Sequence, residues 1–170
     1  MATITFQDKP IHTCGELPAV GSKAPDFKLV STRLKDVSLH NYKDKIKLLN
    51  IVPSLDTPTC QISTRKFNQK AARFDNTVVL AISADLPFAQ SRFCESEGLK
   101  DIMPLSSFRA SFGEDYGITL VDSVLKGLTA RAVVIIDADN TVRYTELVSE
   151  IAEEPDYVAA WEALSALEAR

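Results

Sequence analysis

The chain has 170 residues, of which 45% are hydrophobic and 25% charged, and its 23 acidic and 19 basic side chains give a net charge of −4. This length predicts a single domain spanning residues 1–170, large enough to fold without a disulfide or a metal. The acidic balance argues against nucleic acid as a partner, because nucleic-acid-binding proteins usually carry basic patches. No stretch approaches 18 consecutive apolar residues, so we expect no membrane span.

The first eight residues lack the basic and apolar regions of a signal peptide, and we therefore expect a cytoplasmic location. The three cysteines, Cys14, Cys60 and Cys94, are too few for a disulfide scaffold in a chain of this length. An odd number of cysteines leaves at least one free thiol. The role of each cysteine therefore becomes the central question about function.

The N-terminal half of the chain alternates strand and helix patterns. Two short extended runs within residues 1–14 predict a β-hairpin, and Phe27–Val30 is a short strand candidate. The segment Ile46–Val52 is mostly apolar, which is typical of a central strand covered on both faces. The residues that follow it have apolar side chains at helical spacing through Phe74 and predict a helix. A second apolar strand is predicted over Thr77–Ala84.

The C-terminal half adds two longer helices and a hairpin. Pro87 fits the first turn of a helix, and Gly98 suits its C-terminal end. The remaining predicted elements are a strand over Ile102–Leu105, a short helix within residues 107–116, a hairpin of Ala132–Ile136 with Val142–Leu147, and a last helix from Pro155 to about residue 168. This order predicts an α/β domain with a mixed central sheet flanked by helices on both faces, and a right-handed crossover between the two buried strands.

The most informative segment runs from Pro53 to Cys60 and directly follows the first buried strand. Thr57 is a good N-cap and Pro58 a good first helical residue, so Cys60 is predicted in the first turn of a helix. The capping hydroxyl of Thr57 is then expected beside the free N–H groups of Thr59 and Cys60. A helix N-terminus stabilises negative charge and therefore favours a thiolate over a thiol.

The helix end alone is too weak to make Cys60 largely ionised. An ordinary thiol, with a pKa of about 8.5, is only a few per cent ionised at pH 7, and a helix N-terminus typically contributes about 0.3–1 kcal/mol. A cation is therefore needed. Arg65 and Lys66 are local candidates, but Arg131 is a better one, because it starts an apolar strand at a sheet end where helix N-termini converge. These residues leave two interpretations open, a reactive thiolate and a small buried hydrophobe.

The pattern Pro53-x-x-x-Thr57-x-x-Cys60 resembles the active site of the peroxiredoxins. Three further segments, Thr77–Cys94, Leu125–Asp137 and Glu154–Tyr157, resemble the bacterial thiol peroxidases in particular, which are atypical two-cysteine peroxiredoxins. The resemblance covers essentially the whole chain. It implies a thioredoxin-like fold with an added N-terminal β-hairpin, in agreement with the strand pattern of residues 1–14.

The resemblance also implies a role for each residue of the candidate site. Cys60 matches the peroxidatic cysteine, which attacks the peroxide and becomes a sulfenic acid. Cys94 matches the resolving cysteine of the same subunit. Thr57 and Arg131 match the residues that orient the peroxide and stabilise the thiolate and the transition state. Pro53 matches the residue that shields the pocket from water.

The implied reaction reduces hydrogen peroxide and alkyl hydroperoxides to water and alcohols, without a metal or another cofactor. The resemblance implies that Cys60 and Cys94 form an intramolecular disulfide, that thioredoxin reduces this disulfide, and that the protein is a homodimer. A disulfide requires Cα atoms within about 7 Å, and the two cysteines lie on different predicted helices. We therefore expect local unwinding after oxidation. An apolar pocket would suit alkyl hydroperoxides, and Phe88 and Phe93 are candidates to line it.

Two other functions remain open. In the first, the chain is a peroxide-sensing thiol–disulfide oxidoreductase, in which Cys60 is oxidised without fast turnover. In the second, it is a non-enzymatic binding module on the same fold, with Cys60 buried and inert. A peroxide-consumption assay separates these functions from a peroxidase, because only the peroxidase turns over many times.

Several residues near these segments are expected to have ordinary roles. Cys14 matches no catalytic position, and a metal site built from His12, Cys14 and His40 would lack tetrahedral ligand spacing, so Cys14 is interpreted as a bystander thiol. Asp56 is expected to point to solvent, because a carboxylate near Cys60 would disfavour the thiolate. The lysine-rich segment Lys43–Lys47 is interpreted as a solvated turn.

Overall fold

The computed structural model describes residues 1–169, which form a two-stranded sheet and a seven-stranded mixed sheet. The strands are β1 (Thr3–Phe6), β2 (Lys9–His12), β3 (Leu29–Ser31), β4 (Asp36–Val37), β5 (Ile46–Ile51), β6 (Thr77–Ser83), β7 (Ile102–Ser106), β8 (Ala132–Ile136) and β9 (Val142–Leu147). The α-helices are α1 (Pro58–Ala71), α2 (Pro87–Glu97), α3 (Phe112–Asp115) and α4 (Tyr157–Glu168), and a 3₁₀ helix covers Leu39–Tyr42. None of the described helices combines the length and the apolar character needed to cross a membrane.

The large sheet has the strand order β4-β3-β7-β6-β5-β8-β9. Its three central strands β5, β6 and β7 are parallel, and β8 and β9 continue the sheet as an antiparallel hairpin on the other side of β5. The predicted mixed sheet and the parallel pairing of the two buried strands are therefore confirmed. The predicted N-terminal hairpin is also confirmed, since β1 and β2 pair in antiparallel fashion.

The core is divided by the large sheet into two layers. On one face, Leu48 and Val133 pack with Phe67 of α1 and Leu164 of α4, and Cys94 of α2 lies against the same cluster. On the other face, the covering residues are Ile4 and Ile11 of the hairpin, Leu39 of the 3₁₀ helix and Phe112 of α3. The three long helices thus share one face, and the hairpin covers much of the face where the sequence predicts further helices.

The predicted element boundaries agree closely with the structure, apart from the smallest elements. The hairpin strands β8 and β9 have the predicted limits. The helix predicted within residues 107–116 is a single turn at Phe112–Asp115, and the two-residue strand β4 was not predicted. Such short elements are formed by tertiary contacts and have too few residues for a periodic signal.

The prediction of a solvated turn is wrong for Lys47. This residue lies on β5, which is paired on both sides, and its side chain is fully buried. Its Nζ donates a hydrogen bond to Asn140 Oδ1 at 2.7 Å. Burial lowers the pKa of Lys47, and the nearby Asp137 and Asp139 act in the opposite direction. The charged residues next to Lys47 in the sequence predict an exposed position, whereas strand pairing on both sides of β5 buries it.

Gly117 and Gly98 offer a matched test of backbone packing. Both have left-handed φ angles, 71° and 66°. A Cβ atom on Gly117 would lie 2.2 Å from the backbone oxygen of Glu16, whereas nothing lies within 4 Å of a Cβ on Gly98. We expect Gly98→Ala to lower the free energy of unfolding by about 1–2 kcal/mol, the cost of the left-handed conformation. Gly117→Ala should cost about 1–3 kcal/mol more, because overpacking is added.

Urea unfolding of both variants measures this difference. Equal losses of stability would show that the segment around Glu16 moves aside at no cost, which would contradict the prediction.

Candidate active site

Cys60 lies at the N-terminus of α1, at the end of the loop that follows the central strand β5. The helix begins at Pro58, so Cys60 is its third residue, as the sequence predicts. Thr57 is the N-cap residue and has an extended backbone, with φ −116° and ψ 149°. The loop is anchored by Pro53, which is buried, while Asp56 is exposed as expected. This arrangement directs the positive end of the helix toward the Cys60 side chain.

The Thr57 hydroxyl does not cap the helix as expected. It donates a hydrogen bond to the carbonyl oxygen of Ser54 at 3.0 Å and makes no bond with an N–H group of the first turn. The reason is the tight loop between Ser54 and Thr57, which brings this carbonyl within reach of the hydroxyl. The expectation that the hydroxyl accepts from the helix N-terminus is therefore corrected.

Arg131 supplies the cation beside Cys60. The Cys60 side chain is fully buried, and its Sγ lies 3.3 Å from Nη1 of Arg131. Arg131 itself is only 2% exposed, and its Nε donates to the carbonyl oxygen of Ile151 at 2.9 Å. Away from water, a guanidinium at this distance interacts strongly with a negative charge on sulfur. The structure therefore places a buried, charged guanidinium directly against the Cys60 sulfur.

The two cations near Cys60 in sequence have other partners. Arg65 Nε pairs with Glu97 at 2.9 Å, and Lys66 Nζ pairs with Glu154 at 3.1 Å. Both side chains are more than 40% exposed. Such exposed ion pairs contribute little to the field at a buried sulfur. Arg131 is thus the cation that the structure brings to Cys60.

A cavity of about 220 Å³ opens beside the Cys60–Arg131 pair. Pro53 and Thr57 of the Cys60 loop line it together with Arg131. Leu125, Leu128 and Phe6 give it an apolar wall. Cys60 is fully buried and does not line the cavity, so a small molecule there meets Thr57 and Arg131, and Arg131 contacts the Cys60 sulfur. The lining thus combines polar groups with an apolar surface.

Cys94 lies on α2 and is separated from Cys60 in the reduced structure. Cys60 packs in a small cluster with Val52 and Leu55, and the residue of α2 that contacts this cluster is Phe93. Cys94 packs instead against the core layer of α1 and α4. Both cysteines are free thiols. Burial raises the pKa of Cys94 to about 11, so this thiol is protonated at neutral pH.

Of the other residues singled out from the sequence, Phe93 alone contacts the Cys60 cluster. Phe88 is 67% exposed, and neither Phe88 nor Phe93 lines the 220 Å³ cavity, so the expectation that they line the pocket is wrong. The apolar lining of the cavity comes from Leu125, Leu128 and Phe6 instead. Cys14 is exposed, and His12 Nδ1 pairs with Asp122 at 2.6 Å. Within residues 1–169, no cluster of three or more histidine, cysteine or acidic side chains has the arrangement of a metal site.

Sequence reasoning missed Asp85, which bonds directly to the Cys60 loop. Its carboxylate accepts a hydrogen bond from the Leu55 N–H at 2.7 Å and from Ser54 Oγ at 2.8 Å. A signal was present in the sequence, because Asp85 follows the second buried strand closely. Residues that follow neighbouring parallel strands meet at the same sheet edge.

The comparisons with known proteins agree with this geometry. The family model described as Redoxin matches residues 19–161. The chain belongs to the Redoxin family. Among curated Redoxin relatives, the chain is 55% identical to a thiol peroxidase of Mycobacterium tuberculosis over 98% of this chain and 100% of the relative. It is 51% identical to a thiol peroxidase of Corynebacterium glutamicum, over 97% of this chain and 100% of the relative.

A solved Redoxin-type structure extends the agreement to three dimensions. The peroxiredoxin-like protein from Aquifex aeolicus has a TM-score of 0.93 and 38% identity, and covers 98% of both chains. Within the Redoxin family, the chain is therefore a member of the thiol peroxidase group. The predicted thioredoxin-like fold with an added N-terminal hairpin is confirmed.

Replacing Arg131 tests its effect on Cys60. In a Cys14→Ser, Cys94→Ser background, in which Cys60 is the single thiol, we expect Arg131→Met to lower the thiolate population at pH 7 about tenfold or more, since an adjacent opposite charge alters ionisation by at least this factor. The ultraviolet absorbance of the thiolate measures this population. Arg109→Met is the control, because Arg109 pairs with Asp36 at the surface. An unchanged signal in Arg131→Met would contradict the prediction.

Proposed function

We propose that this protein is a thiol peroxidase in which Cys60 reduces hydrogen peroxide and alkyl hydroperoxides. The observation that carries the proposal is the buried contact between Cys60 Sγ and Arg131 at the N-terminus of α1. A buried filler cysteine needs no cation, so this contact argues against a binding module with an inert thiol. A peroxidase needs both an ionised sulfur and a donor for the leaving oxygen.

In the first step, the Cys60 thiolate attacks one oxygen of the peroxide. A sulfur–oxygen bond forms, the O–O bond breaks, and the departing oxygen takes a proton and leaves as water or an alcohol. Cys60 becomes a sulfenic acid. The Arg131 guanidinium keeps its charge at any working pH and donates to the oxygen on which charge grows. The Thr57 hydroxyl can donate or accept while the peroxide proton moves.

The shape of the cavity supports the substrate class. Its polar lining residues, Thr57 and Arg131, suit the peroxide group, while Leu125, Leu128 and Phe6 suit an alkyl chain. The buried Pro53 also lines the cavity and, in this proposal, shields it from water. Excluding water strengthens the electrostatic interactions inside the site. We therefore propose that alkyl hydroperoxides are substrates together with hydrogen peroxide.

In the second step, Cys94 resolves the sulfenic acid. The Cys94 sulfur attacks the Cys60 sulfur, and the sulfur–oxygen bond of the sulfenic acid breaks as the disulfide forms. The departing hydroxyl takes the Cys94 proton and leaves as water. The two cysteines pack in separate clusters, so this step requires movement of the Cys60 turn, of α2, or of both. The high pKa of Cys94, about 11, would also fall once movement exposes the thiol to water.

A thioredoxin-type dithiol completes the cycle. It passes two electrons and two protons to the Cys60–Cys94 disulfide by thiol–disulfide exchange and becomes a disulfide itself. A transient disulfide of this kind suits the cytoplasm, where structural disulfides are rare. We propose this location, and a single functional domain for the whole chain. The single domain is supported by the two core layers, which share one central sheet.

A peroxide sensor without fast turnover is the second candidate. It is favoured by the separation of Cys60 from Cys94, because a slow resolving step would leave the sulfenic acid long-lived. In this case Cys60 would still react with peroxide through Arg131, but recycling would be slow. Turnover measurements therefore distinguish the sensor from the peroxidase.

The three cysteines give distinct expected results in a stopped-flow assay of peroxide consumption with thioredoxin, its reductase and its electron donor. Cys60→Ser should abolish consumption, because no sulfur is left to attack. Cys94→Ser should retain the first oxidation and lose recycling. Cys14→Ser should behave as wild type and serves as the control. Mass spectrometry of the peroxide-treated wild type should show a disulfide between Cys60 and Cys94.

Oxidation of wild type in a single stoichiometric event would favour the sensor. Normal multiple turnover in Cys94→Ser would remove Cys94 from the mechanism. Replacing thioredoxin with glutathione tests the proposed reductant, since equal rates with both would contradict a dedicated thioredoxin-type partner.

The proposed homodimer has a candidate surface next to the Cys60 loop. Leu86, Phe88 and Phe108 are 52%, 67% and 43% exposed. Leu86 and Phe88 follow β6, and Phe108 follows β7, so all three lie beyond the same end of the sheet. The Ser106 hydroxyl joins these two segments by donating to the carbonyl oxygen of Asp85 at 2.6 Å. Clustered exposed apolar side chains commonly mark a protein interface. This patch supports association of two copies of the chain.

We expect Phe88→Ser to shift the protein from dimer to monomer, because it removes the most exposed aromatic ring of the patch. Light scattering coupled to size-exclusion chromatography measures the mass. Val158→Ser is the matched control, since Val158 is 65% exposed on α4 and lies outside the patch. A dimer that persists unchanged in Phe88→Ser would place the interface elsewhere.

A further inference from the structure

Asp85 lies between the segment that carries Cys60 and the helix that carries Cys94. It follows β6 by two residues and precedes α2 by two. One of its carboxylate oxygens accepts from Ser54 Oγ at 2.8 Å. The other accepts from the Leu55 N–H at 2.7 Å and from Ser83 Oγ at 2.7 Å. The carboxylate therefore bonds to the Cys60 loop on one side and to the end of β6 on the other.

The hydrogen bonds continue from Asp85 into α2. Ser83 Oγ accepts from Nε2 of Gln90 at 3.0 Å. Gln90 is fully buried and lies one helical turn before Cys94. A chain of hydrogen bonds thus leads from the Cys60 loop, through Asp85 and Ser83, to the helix of the resolving cysteine.

The same chain reaches the catalytic side of the loop. Ser54, which donates to Asp85 through its hydroxyl, also accepts from the Thr57 hydroxyl through its carbonyl oxygen. The Asp56 N–H donates to Ser54 Oγ at 3.1 Å. Asp85 therefore fixes the position of Ser54, and Ser54 in turn fixes the hydroxyl of Thr57 and the turn that leads into Cys60.

Packing between the two segments is incomplete. A cavity of about 340 Å³ lies between the Cys60 loop and α2, and Leu55, Asp85, Ala89 and Phe93 are among the residues that line it. Empty space lacks the attractive contacts that hold packed side chains together. The hydrogen bonds of Asp85 are therefore one of the connections between the segment that carries Cys60 and α2, beside the Phe93 contact and the Arg65–Glu97 ion pair.

We propose that Asp85 is a positioning residue that holds the Cys60 loop in its peroxide-reactive geometry and releases it when Cys60 and Cys94 approach each other. This inference rests on the proposed peroxidase cycle. The two steps of the cycle place opposite demands on Asp85. In this proposal, attack on the peroxide uses the loop with its bonds to Asp85 intact, and the movement that disulfide formation requires separates the loop from the end of β6.

The release also determines the fate of the sulfenic acid. The sulfenic acid either condenses with the Cys94 thiol, giving the disulfide and water, or it reacts with a second peroxide, giving a sulfinic acid and an alcohol or water. The second reaction takes place in the positioned loop, where peroxide meets Arg131. Weakening the bonds of Asp85 should therefore slow attack, speed disulfide formation and reduce the sulfinic acid yield.

Single-turnover stopped-flow kinetics of Asp85→Asn and Asp85→Ala test this proposal. We expect Asp85→Ala to lower the rate of sulfenic acid formation about tenfold or more, since small misplacements of reacting groups cost up to about a hundredfold. Asp85→Asn keeps one acceptor oxygen and should lie between Asp85→Ala and wild type. Both variants should form the disulfide faster than wild type, and mass spectrometry should show less sulfinic acid at a given peroxide excess.

Hydrogen exchange and a matched variant separate positioning from general destabilisation. The Leu55 amide should exchange faster in Asp85→Asn, because it loses its carboxylate acceptor. Asp26→Asn is the control, since the Asp26 carboxylate also accepts from two backbone N–H groups, those of Phe27 at 2.8 Å and Leu39 at 3.2 Å, in segments without a cysteine. Should Asp85→Ala fail to fold, Asp85→Asn and Ser54→Ala carry the same test.

Opposite changes in the rates of attack and disulfide formation would support the proposal. Wild-type rates in Asp85→Asn, or the same change in Asp85→Asn and in the control Asp26→Asn, would overturn it. Wild type is measured in the same experiment. If wild type itself forms no sulfenic acid at Cys60, the peroxidase function fails, whereas normal wild-type kinetics with unaltered Asp85 variants reject only the role of Asp85.

Discussion

The buried contact between Arg131 and Cys60 is the interaction around which the candidate site is built. A buried guanidinium is costly unless hydrogen bonds and a counter-charge compensate for lost water. Here a backbone carbonyl and the Cys60 sulfur compensate together. Strand register makes the contact possible, because Ile51 at the end of β5 pairs with Ala132 at the start of β8. The same pairing places Arg131 beside the loop that leads to Cys60.

The N-terminal hairpin supports this contact from a distance. The Thr5 N–H donates to the carbonyl oxygen of Ser149 at 2.8 Å, and the Ile151 N–H donates to the carbonyl oxygen of Thr5 at 3.0 Å. The Ile151 carbonyl in turn accepts from Arg131. The hairpin thus holds the segment that orients the guanidinium, and Phe6 adds to the wall of the cavity. This added element is therefore part of the site as well as a cover for the core.

The proposed cycle places opposite requirements on Cys60 and Cys94. Attack on the peroxide uses the buried Cys60 sulfur beside Arg131, whereas burial raises the pKa of Cys94 to about 11 and so disfavours its thiolate. A rigid fold would serve the first requirement and prevent disulfide formation. In the structure, hydrogen bonds through Asp85 and Ser83 and the contact of Phe93 with the Cys60 cluster link the Cys60 loop to α2, and a cavity lies between them. Local hydrogen bonds can be broken without opening the core.

The sequence by itself determined the order of strands and helices, the place of Cys60 in the first turn of α1 and the choice of Arg131 as its cation. These follow from local periodicity, from capping residues and from a resemblance carried by contiguous motifs. Tertiary structure alone decided that Lys47 is buried, that the Thr57 hydroxyl bonds backward along its loop, and that Asp85 joins the two cysteine segments. The burial of Lys47 depends on the pairing of β5 with its neighbouring strands. The bonds of Thr57 and Asp85 depend on how the loops at the end of the sheet meet. Sequence patterns report the neighbours of a residue along the chain, whereas burial and hydrogen-bond partners are set by neighbours in space.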